Sequence, residues 1–469
     1  MLELSFRRDI SLKSPAENGM VHLEGQQFAW TAKKLSPGIK TALKMLAEGS
    51  VPESQLLERV TELDGPNGLI FLFQYLNRLS RLICYSLKWE DKTLATLIPH
   101  EPPSDYQFQE KLIDPEQQYV LSRFASFQRT REGEMVIESP LGRAKVVVHH
   151  AIGGMLFAVL GRPHRPRDLA AGIPDLPEAI GFAFANLLLN AQIICAVDAE
   201  IKTQEDTHPA LGQWAYSDLL FHKETRMGWK DQPYGGNYRF RDQFEPLPLI
   251  KPDLPEMVIP LFEPDLSELM ATDMPFTAVL EQRQSRRQYG EQPVSLEQLG
   301  EFLYRTARLK KVIDMGPGDA QLAFRPYPSG GALHELEIYP VIGSCQGLES
   351  GLYYYNALDH QLHQISGQTQ HVDGLLTYAW LAANRESQPQ VLFVITARFQ
   401  RIQWKYQSLP YALILKHVGV LMQTMYLVAT AMGLAPCALG GGNSDLFAQA
   451  AQLDYYAETS VGEFLLGSL

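Results

Sequence analysis

Two stretches of the chain carry the same pattern of apolar positions. GLIFLFQYLNRLSRLICYSL, from Gly68, and AIGFAFANLLLNAQIICAVD, from Ala179, align without gaps. Phe71 meets Phe182, Phe73 meets Phe184, Leu76 meets Leu187, Ile83 meets Ile194 and Cys84 meets Cys195, while the polar positions between them differ. In the first copy Leu69, Leu72, Leu76, Leu79 and Ile83 step by three and four, the spacing of one helical face. The pattern predicts a repeated core helix whose stripe needs a partner surface. Ahead of each helix a similar series recurs: a strand pair around a turn, a short helix, a Gly-containing break, and another short helix. In the second copy EMVIESPLGRAKVVVHH predicts a hairpin turning at Pro140 to Gly142, followed by MLFAVLG and RPRDLAAGI. MVHLEGQQFAW, TALKMLAEG and PESQLLERV fill the same places in the first. The front half therefore predicts two winged-helix units, over 1–95 and 96–215.

Past them the pattern changes. LGQWAYSDLLFHKETRMGWKDQPYGGNYRF leads into EPLPLIKPDLPEMVIPLFEPDL, where repeated prolines fix the backbone and remove donors. Residues 245–264 should run extended over a surface, and 216–265 is the expected connection between domains. From about Phe276 helices and strands alternate, which predicts an α+β or α/β layered domain over 266–469. Pro293, Ser295 and Glu297 mark a helix start with Ser295 as N-cap. The apolar stretch Tyr411 to Met432 holds Lys416, His417 and Gln423, costly in a bilayer centre, so it is read as a buried helix and no membrane partner is expected.

Composition narrows the function. The chain has 469 residues and a formal charge of -12, so no general field attracts nucleic-acid phosphates and a peptide is the better partner for the winged units. Cys84, Cys195, Cys345 and Cys437 lie far apart, forming neither a CxxC pair nor a secreted disulfide framework. With no signal-peptide pattern in MLELSFRRDI, a reducing cytoplasm is expected. GGGNSD lacks dinucleotide-fingerprint spacing, and neither GxxxxGK[ST] nor HExxH occurs, so no metal site is expected.

Three separated segments carry candidate chemistry. Arg283, Ser285 and Arg287, with Gln284 between them, are spaced to converge on one anion at a helix end, and guanidinium forks suit phosphate. Pro328, Ser329, Gly330, Gly331 and Ala332 form a loop whose glycines let backbone amides approach a ring or phosphate. Gly433 and Pro436 read as a helix stop, after which Leu439, Gly440 and Gly441 can again present amides.

In this order the segments resemble the nitroreductase superfamily and, within it, the SagB-type azoline dehydrogenases of cyanobactin-like pathways, over about the last two-fifths of the chain. FHxxTRxG and GGxYRF, here at His222 and Gly235, resemble the approach to that domain and are read as structural. The second winged unit resembles leader-peptide recognition elements, which take a leader strand on a hairpin edge. The resemblance implies flavin mononucleotide (FMN) held by Arg283, Gln284, Ser285 and Arg287, by the 328–332 loop, and by Leu439 to Gly441. It also implies a homodimer with the flavin at the subunit interface, so that the 328–332 loop serves the partner's cofactor. In that branch a Lys-Tyr pair, here Lys405-Tyr406, is associated with catalysis. Either residue could take the proton while hydride leaves the neighbouring ring carbon, although a lysine near its reference pKa of about 10.4 is a poor base unless that value is lowered. The implied activity is oxidation of thiazoline, or oxazoline, rings in a leader-bearing precursor peptide, with oxygen as electron acceptor. A general small-molecule flavin reductase and a non-enzymatic peptide-binding scaffold are the alternatives. The chain departs from the superfamily pattern at Glu335, where a proline often follows the histidine, and at Val420, where a histidine is common. It also has no basic residue in VGEFLLGSL, so phosphate anchoring leans on the two arginines.

Overall fold

Apolar Leu4 and Phe6 alternate with polar Glu3 and Ser5 in the first strand, β1 (Leu2–Phe6), which lays its apolar side on the helices that follow. The computed structural model describes all residues except 14–19, 26–28, 101–105 and 230–232. It divides into two units, Met1–Gln232 and Pro233–Leu469, each with its own core.

In the first unit α1 (Pro37–Glu48), α2 (Glu53–Asp64) and α3 (Gly68–Arg78) pack Ile39, Leu43, Leu56, Val60 and Leu72 around β1. The chain then forms β2 (Ile83–Trp89), β3 (Lys92–Pro99), β4 (Ser126–Arg129), β5 (Met135–Glu138) and β6 (Ala144–Val148). Together with Val51–Pro52 these strands make one antiparallel seven-stranded sheet, ordered Val51–Pro52, β1, β2, β3, β6, β5, β4. Both copies of the repeat therefore contribute to one sheet. The expected hairpin is present: Ile137 faces Val146, and the amide of Gly142 closes the turn on the carbonyl of Ser139. Then α4 (Ala151–Val159) and α5 (Glu178–Asn190) bury Leu156, Phe184, Leu187 and Leu188 against the sheet.

Two expectations need correction. The helix from Gly68 stops at Arg78, and after a single 3₁₀ turn Ile83 opens β2, where Cys84 pairs with Ser5. The edge of β1 captures Ile83 and the residues after it, which the three-four spacing alone would continue as helix. The second copy does likewise, Ile194–Ala196 pairing with Tyr119–Leu121. The strands of MVHLEGQQFAW join Ser11–Lys13 in a separate three-stranded sheet instead of entering the main one; the turn at Gln26 to Phe28 lies outside the described residues.

The second unit holds α6 (Phe276–Gln282) and α7 (Leu296–Ala307). The latter is capped as the sequence predicts: Ser295 and Gln298 form a reciprocal capping box, a feature that stabilises a helix by about 1 kcal/mol. Strands β7 (Leu336–Ile342), β8 (Gly351–Asn356), β9 (Gln361–Gly367) and β10 (Val391–Arg398) precede α8 (Pro410–Ala431), β11 (Leu434–Leu439) and β12 (Glu458–Ser468). With Val258–Pro260 they form an antiparallel sheet ordered Val258–Pro260, β9, β8, β7, β10, β12, β11. Every residue of β7 and β10 is buried, because both sheet faces are covered. The arrangement is α+β.

The proline-rich run lies along this unit, held by carbonyls since its prolines lack N–H groups. Arg401 donates to the carbonyls of Leu247 (2.6 Å), Gln321 (3.0 Å) and Leu333 (2.6 Å), and Arg398 donates to Leu249 (3.1 Å). Helix α8 buries Ile414, Val418, Leu421, Met425 and Ala429 along one stripe and leaves Tyr411, Leu415 and Val420 exposed. It is long and apolar enough to cross a membrane, yet its apolar stripe forms core. The helix expected to be buried is buried along one stripe, and its remaining apolar residues lie partly or fully open.

Candidate functional site

One group of predicted residues gathers at the start of α8. The loop Pro328 to Ala332 makes a short turn in which Gly331 (φ +63°) and Ala332 (φ +55°) are left-handed, followed by His334 (φ +46°). Such geometry is unstrained only for glycine, and it turns the loop back on itself. A Cβ on Gly331 would stand 2.7 Å from Lys405 Nζ and 2.8 Å from the Tyr406 hydroxyl. Bare glycine backbone is thus what lets the Lys-Tyr tips sit against the loop.

Behind this contact is a buried chain of hydrogen bonds that sequence reasoning missed. The amide of Gly330 donates to His417 Nε2 (2.8 Å), and His417 Nδ1 lies 2.6 Å from Glu335 Oε1. Because Nε2 accepts, the imidazole proton sits on Nδ1 and points at the carboxylate. Ser329 Oγ donates to the other Glu335 oxygen (3.2 Å) and accepts from the amide of His334 (3.1 Å). Glu335, fully buried, replaces the proline common in the superfamily and ties the loop to α8. Its neighbour His334 is held neutral, its pKa pushed down to about 3 by burial and by the Arg325 guanidinium. Val420 is exposed and takes no part in this network.

The GGNYRF segment, read as structural, also reaches this group. Gly235–Gly236 pair as a strand with Tyr406–Gln407, the amide of Tyr238 donates to the Lys405 carbonyl (3.0 Å), and Lys405 Nζ lies 5.5 Å from the ring centres of both Tyr238 and Tyr406. An ammonium between two aromatic faces is held by their quadrupoles. The repeated glycines were the available signal: Gly235 holds φ +96°, a backbone conformation that glycine adopts without strain.

The arginine group lies elsewhere on α8. Arg283 caps α6, its guanidinium 5.3 Å from the Tyr426 ring; Ser285 Oγ is 2.7 Å from the Tyr426 hydroxyl, which accepts the amide of Ala438 (2.8 Å). Arg286 N–H bonds the Pro436 carbonyl (2.8 Å), so the segment runs beside β11. Arg287, next to the Cys437 thiol, has a buried Nε with no hydrogen-bond partner. Gln284 is exposed and lines, with Arg283 and Arg286, a cavity of about 320 Å³. Leu439 closes β11, and beyond it Gly440 and Gly441 have open space over their Cα atoms. Gly442 does not: the Glu463 carboxylate occupies its Cβ position. An orphaned guanidinium N–H, a second guanidinium, a hydroxyl and two unobstructed glycines are a donor set that fits the phosphate and ring edge of FMN.

The structure therefore joins Lys405 and Tyr406 with the 328–332 loop, and Arg283, Ser285 and Arg287 with β11 and Leu439, but as two groups. Their anchors, His417 and Tyr426, are nine residues apart on α8, about 13.5 Å along its axis and half a turn out of phase, on opposite flanks of the core stripe.

Comparison with known proteins covers most of the chain. The family model described as ThcOx helix turn helix domain matches 1–109, that for Cyanobactin oxidase ThcOx matches 119–231, and that for the nitroreductase family matches 280–467. A Methanocaldococcus jannaschii protein named for a nitroreductase, MJ1384, is 28% identical over 34% of this chain and 76% of its own. The Trifolitoxin-processing protein TfxB of Rhizobium leguminosarum bv. trifolii is 34% identical over 17% of this chain and 22% of its own. Among solved structures, a subunit of the E. coli microcin synthetase McbBCD complex, with truncated pro-MccB17 bound, is 18% identical, covering 50% of this chain and 88% of that one at a TM-score of 0.33. The resemblance to SagB-type azoline dehydrogenases of ribosomal-peptide pathways is supported by the family models and the TfxB match, and the carboxy-terminal domain is of nitroreductase type.

Proposed function

We propose that this chain, as a SagB-type oxidoreductase, is an FMN-dependent oxidase that converts thiazoline rings, and by the same chemistry oxazoline rings, of a leader-bearing precursor peptide into aromatic azoles in the cytoplasm. The observation that carries this reading is the seating of Lys405 Nζ and the Tyr406 hydroxyl against Gly331. Two groups able to transfer a proton there converge on the place that a Cβ on Gly331 would occupy, so one substrate ring can contact both.

Removing two hydrogens from an azoline takes one proton from a ring carbon and one hydride from its neighbour. Lys405 as its neutral amine, or Tyr406 as its phenolate, receives the proton; Tyr238 holds the lysine in place, and Glu335 with His417 fixes the loop that faces both. Bound flavin supplies the two-electron acceptor that the leaving hydride requires, and oxygen takes those electrons on. Arg283, Ser285 and Arg287 would hold the phosphate, with Gln284 and Leu439 to Gly441 beside it.

Two groups on opposite flanks of α8 are half-sites. A homodimer that places one chain's arginines opposite its partner's 328–332 loop completes two sites, and the apolar residues α8 leaves exposed favour such a cover. In the first unit β4 is the open edge of the sheet, where Phe127 stacks obliquely on Phe157 of α4 at 5.2 Å and Met135 and Met155 are exposed. An added leader strand would gain main-chain bonds there and apolar contacts beside them. A candidate azoline peptide, with and without its leader, tests the function: the expected product is lighter by two hydrogens per ring and forms only with the coloured holoenzyme. Unchanged mass with full flavin loading would refute it, and efficient nicotinamide-driven reduction of quinones instead would favour a general flavin reductase.

A further inference from the structure

The face of the first unit's sheet that points away from α4 and α5 is not flat. A cavity of about 770 Å³ opens over it, floored by alternate residues of β2, β3 and β6, among them Cys84, Ser86, Thr96, Lys145 and Val147, with His149 just past β6. The alternation follows from the pleat: Leu87, Leu97 and Val146 point to the helices, so their neighbours point to the cavity.

The charge of this floor runs against that of the chain. Arg7, Arg8, Lys92 and Lys145 line the cavity with only Asp9 and Glu134 as carboxylates, in a chain of formal charge -12. Arg7 is spent on Asp9 (3.0 Å) and on the Pro99 carbonyl (3.2 Å), and Arg8, nearly fully exposed, reaches Glu134 only at 3.4 Å. Lys92 sits on the rim, 3.8 Å from Glu90. Lys145 is half-buried in the middle of the floor with no carboxylate within salt-bridge distance among the described residues. Beside it the Thr96 hydroxyl bridges Ser86 Oγ (2.9 Å) and His149 Nε2 (3.0 Å), so further polar groups face the same space.

We propose that this cavity binds a carboxylate-rich segment of the peptide substrate, with Lys145 as its central contact. The proposal rests on the peptide-substrate reading above and is separate from the strand edge at β4. Crossing β1, β2, β3 and β6 spans about 14 Å at roughly 4.8 Å per strand, the length of about four extended residues. Acidic side chains two apart on such a segment fall on one side, about 6.6 Å from each other, which suits Lys145 and Arg8 or Lys92 acting together. A nucleic acid would need a cationic surface well beyond one cavity, and the unit does not offer it.

Fluorescence anisotropy of the full chain with a labelled hexapeptide alternating glycine and glutamate tests the proposal, its glutamine counterpart serving as control. The glutamate peptide should bind at 20 mM salt and weaken about tenfold by 200 mM, while the glutamine peptide binds at least tenfold more weakly. Lys145→Glu should abolish the preference and Lys145→Met, which keeps the apolar stem, should reduce it about tenfold, with circular dichroism unchanged. Equal binding of both peptides, binding untouched by Lys145→Glu, or no binding of either at 20 mM would overturn the inference, as would a single-stranded oligonucleotide competing equally. Arg129→Pro, which removes an outward N–H from the β4 edge, should leave the glutamate peptide bound. Azoline oxidation is scored separately, so failure of the enzymatic reading with this binding intact is distinguishable from the reverse.

Discussion

Replacing Gly331 by alanine tests the contact on which the proposed chemistry depends. The new Cβ would stand 2.7 Å from Lys405 Nζ and 2.8 Å from the Tyr406 hydroxyl, whereas ordinary contact begins near 3.4 Å, so each tip must retreat by about 0.6–0.7 Å. Both are ends of flexible side chains, so the fold can absorb the shift; the left-handed backbone at φ +63° adds only about 1–2 kcal/mol of strain. Catalysis is less forgiving, since misplacement approaching 1 Å costs up to about a hundredfold in rate. Gly331→Ala should therefore keep its flavin, melt a few degrees lower, and lose about 10- to 100-fold in single-turnover ring oxidation followed by mass. Lys405→Ala and Tyr406→Phe made in the same background should then cost less than they do in the parent chain, because they remove groups already displaced. A Gly331→Ala protein within twofold of the parent rate would remove this contact, and with it the Lys-Tyr assignment, from the mechanism.

Arg283→Ala combined with Arg287→Ala should yield a folded but colourless protein after gel filtration, checked by its visible spectrum. Arg401→Met leaves the Leu247, Gln321 and Leu333 carbonyls without their donor and should destabilise the second unit by about 3 kcal/mol or more, with faster proteolysis near Leu247. The Glu53 carboxyl is pushed up to about 7 by burial and by its hydrogen bond to Glu110. Between pH 4.5 and 7 the unfolded chain releases this proton while the fold retains it, so the melting temperature should fall as pH rises through that window, with a slope below ~1.4 kcal/mol per pH unit because the group is half exposed. Glu53→Gln should flatten that part of the profile, as read by thermal denaturation across pH.

Features with a local cause were legible in the sequence. Ser295 announced its helix because a cap needs only its own next turn, and Pro140 to Gly142 announced a hairpin because the turn sets its own angles. The proline-rich run was readable as an extended strap for the same reason, although its hold on Arg398 and Arg401 was not. The helix from Gly68 was overextended because Ile83 obeys a helical spacing but is claimed by β1, a partner nearly eighty residues away. The Glu335–His417–Gly330 chain was invisible for a like reason: each residue alone is common, and only the fold brings positions 87 apart within 2.8 Å. GGNYRF was set aside as structural because nothing local links it to Lys405.

Helix α8 acts as a ruler. With the glycine loop pinned at His417 and the arginine segment at Tyr426, one extra residue between them would advance one anchor by about 1.5 Å and rotate it by about 100° relative to the other. Side chains along that stretch can be exchanged for others of similar size, but its length cannot change without aiming the two halves of the site past each other.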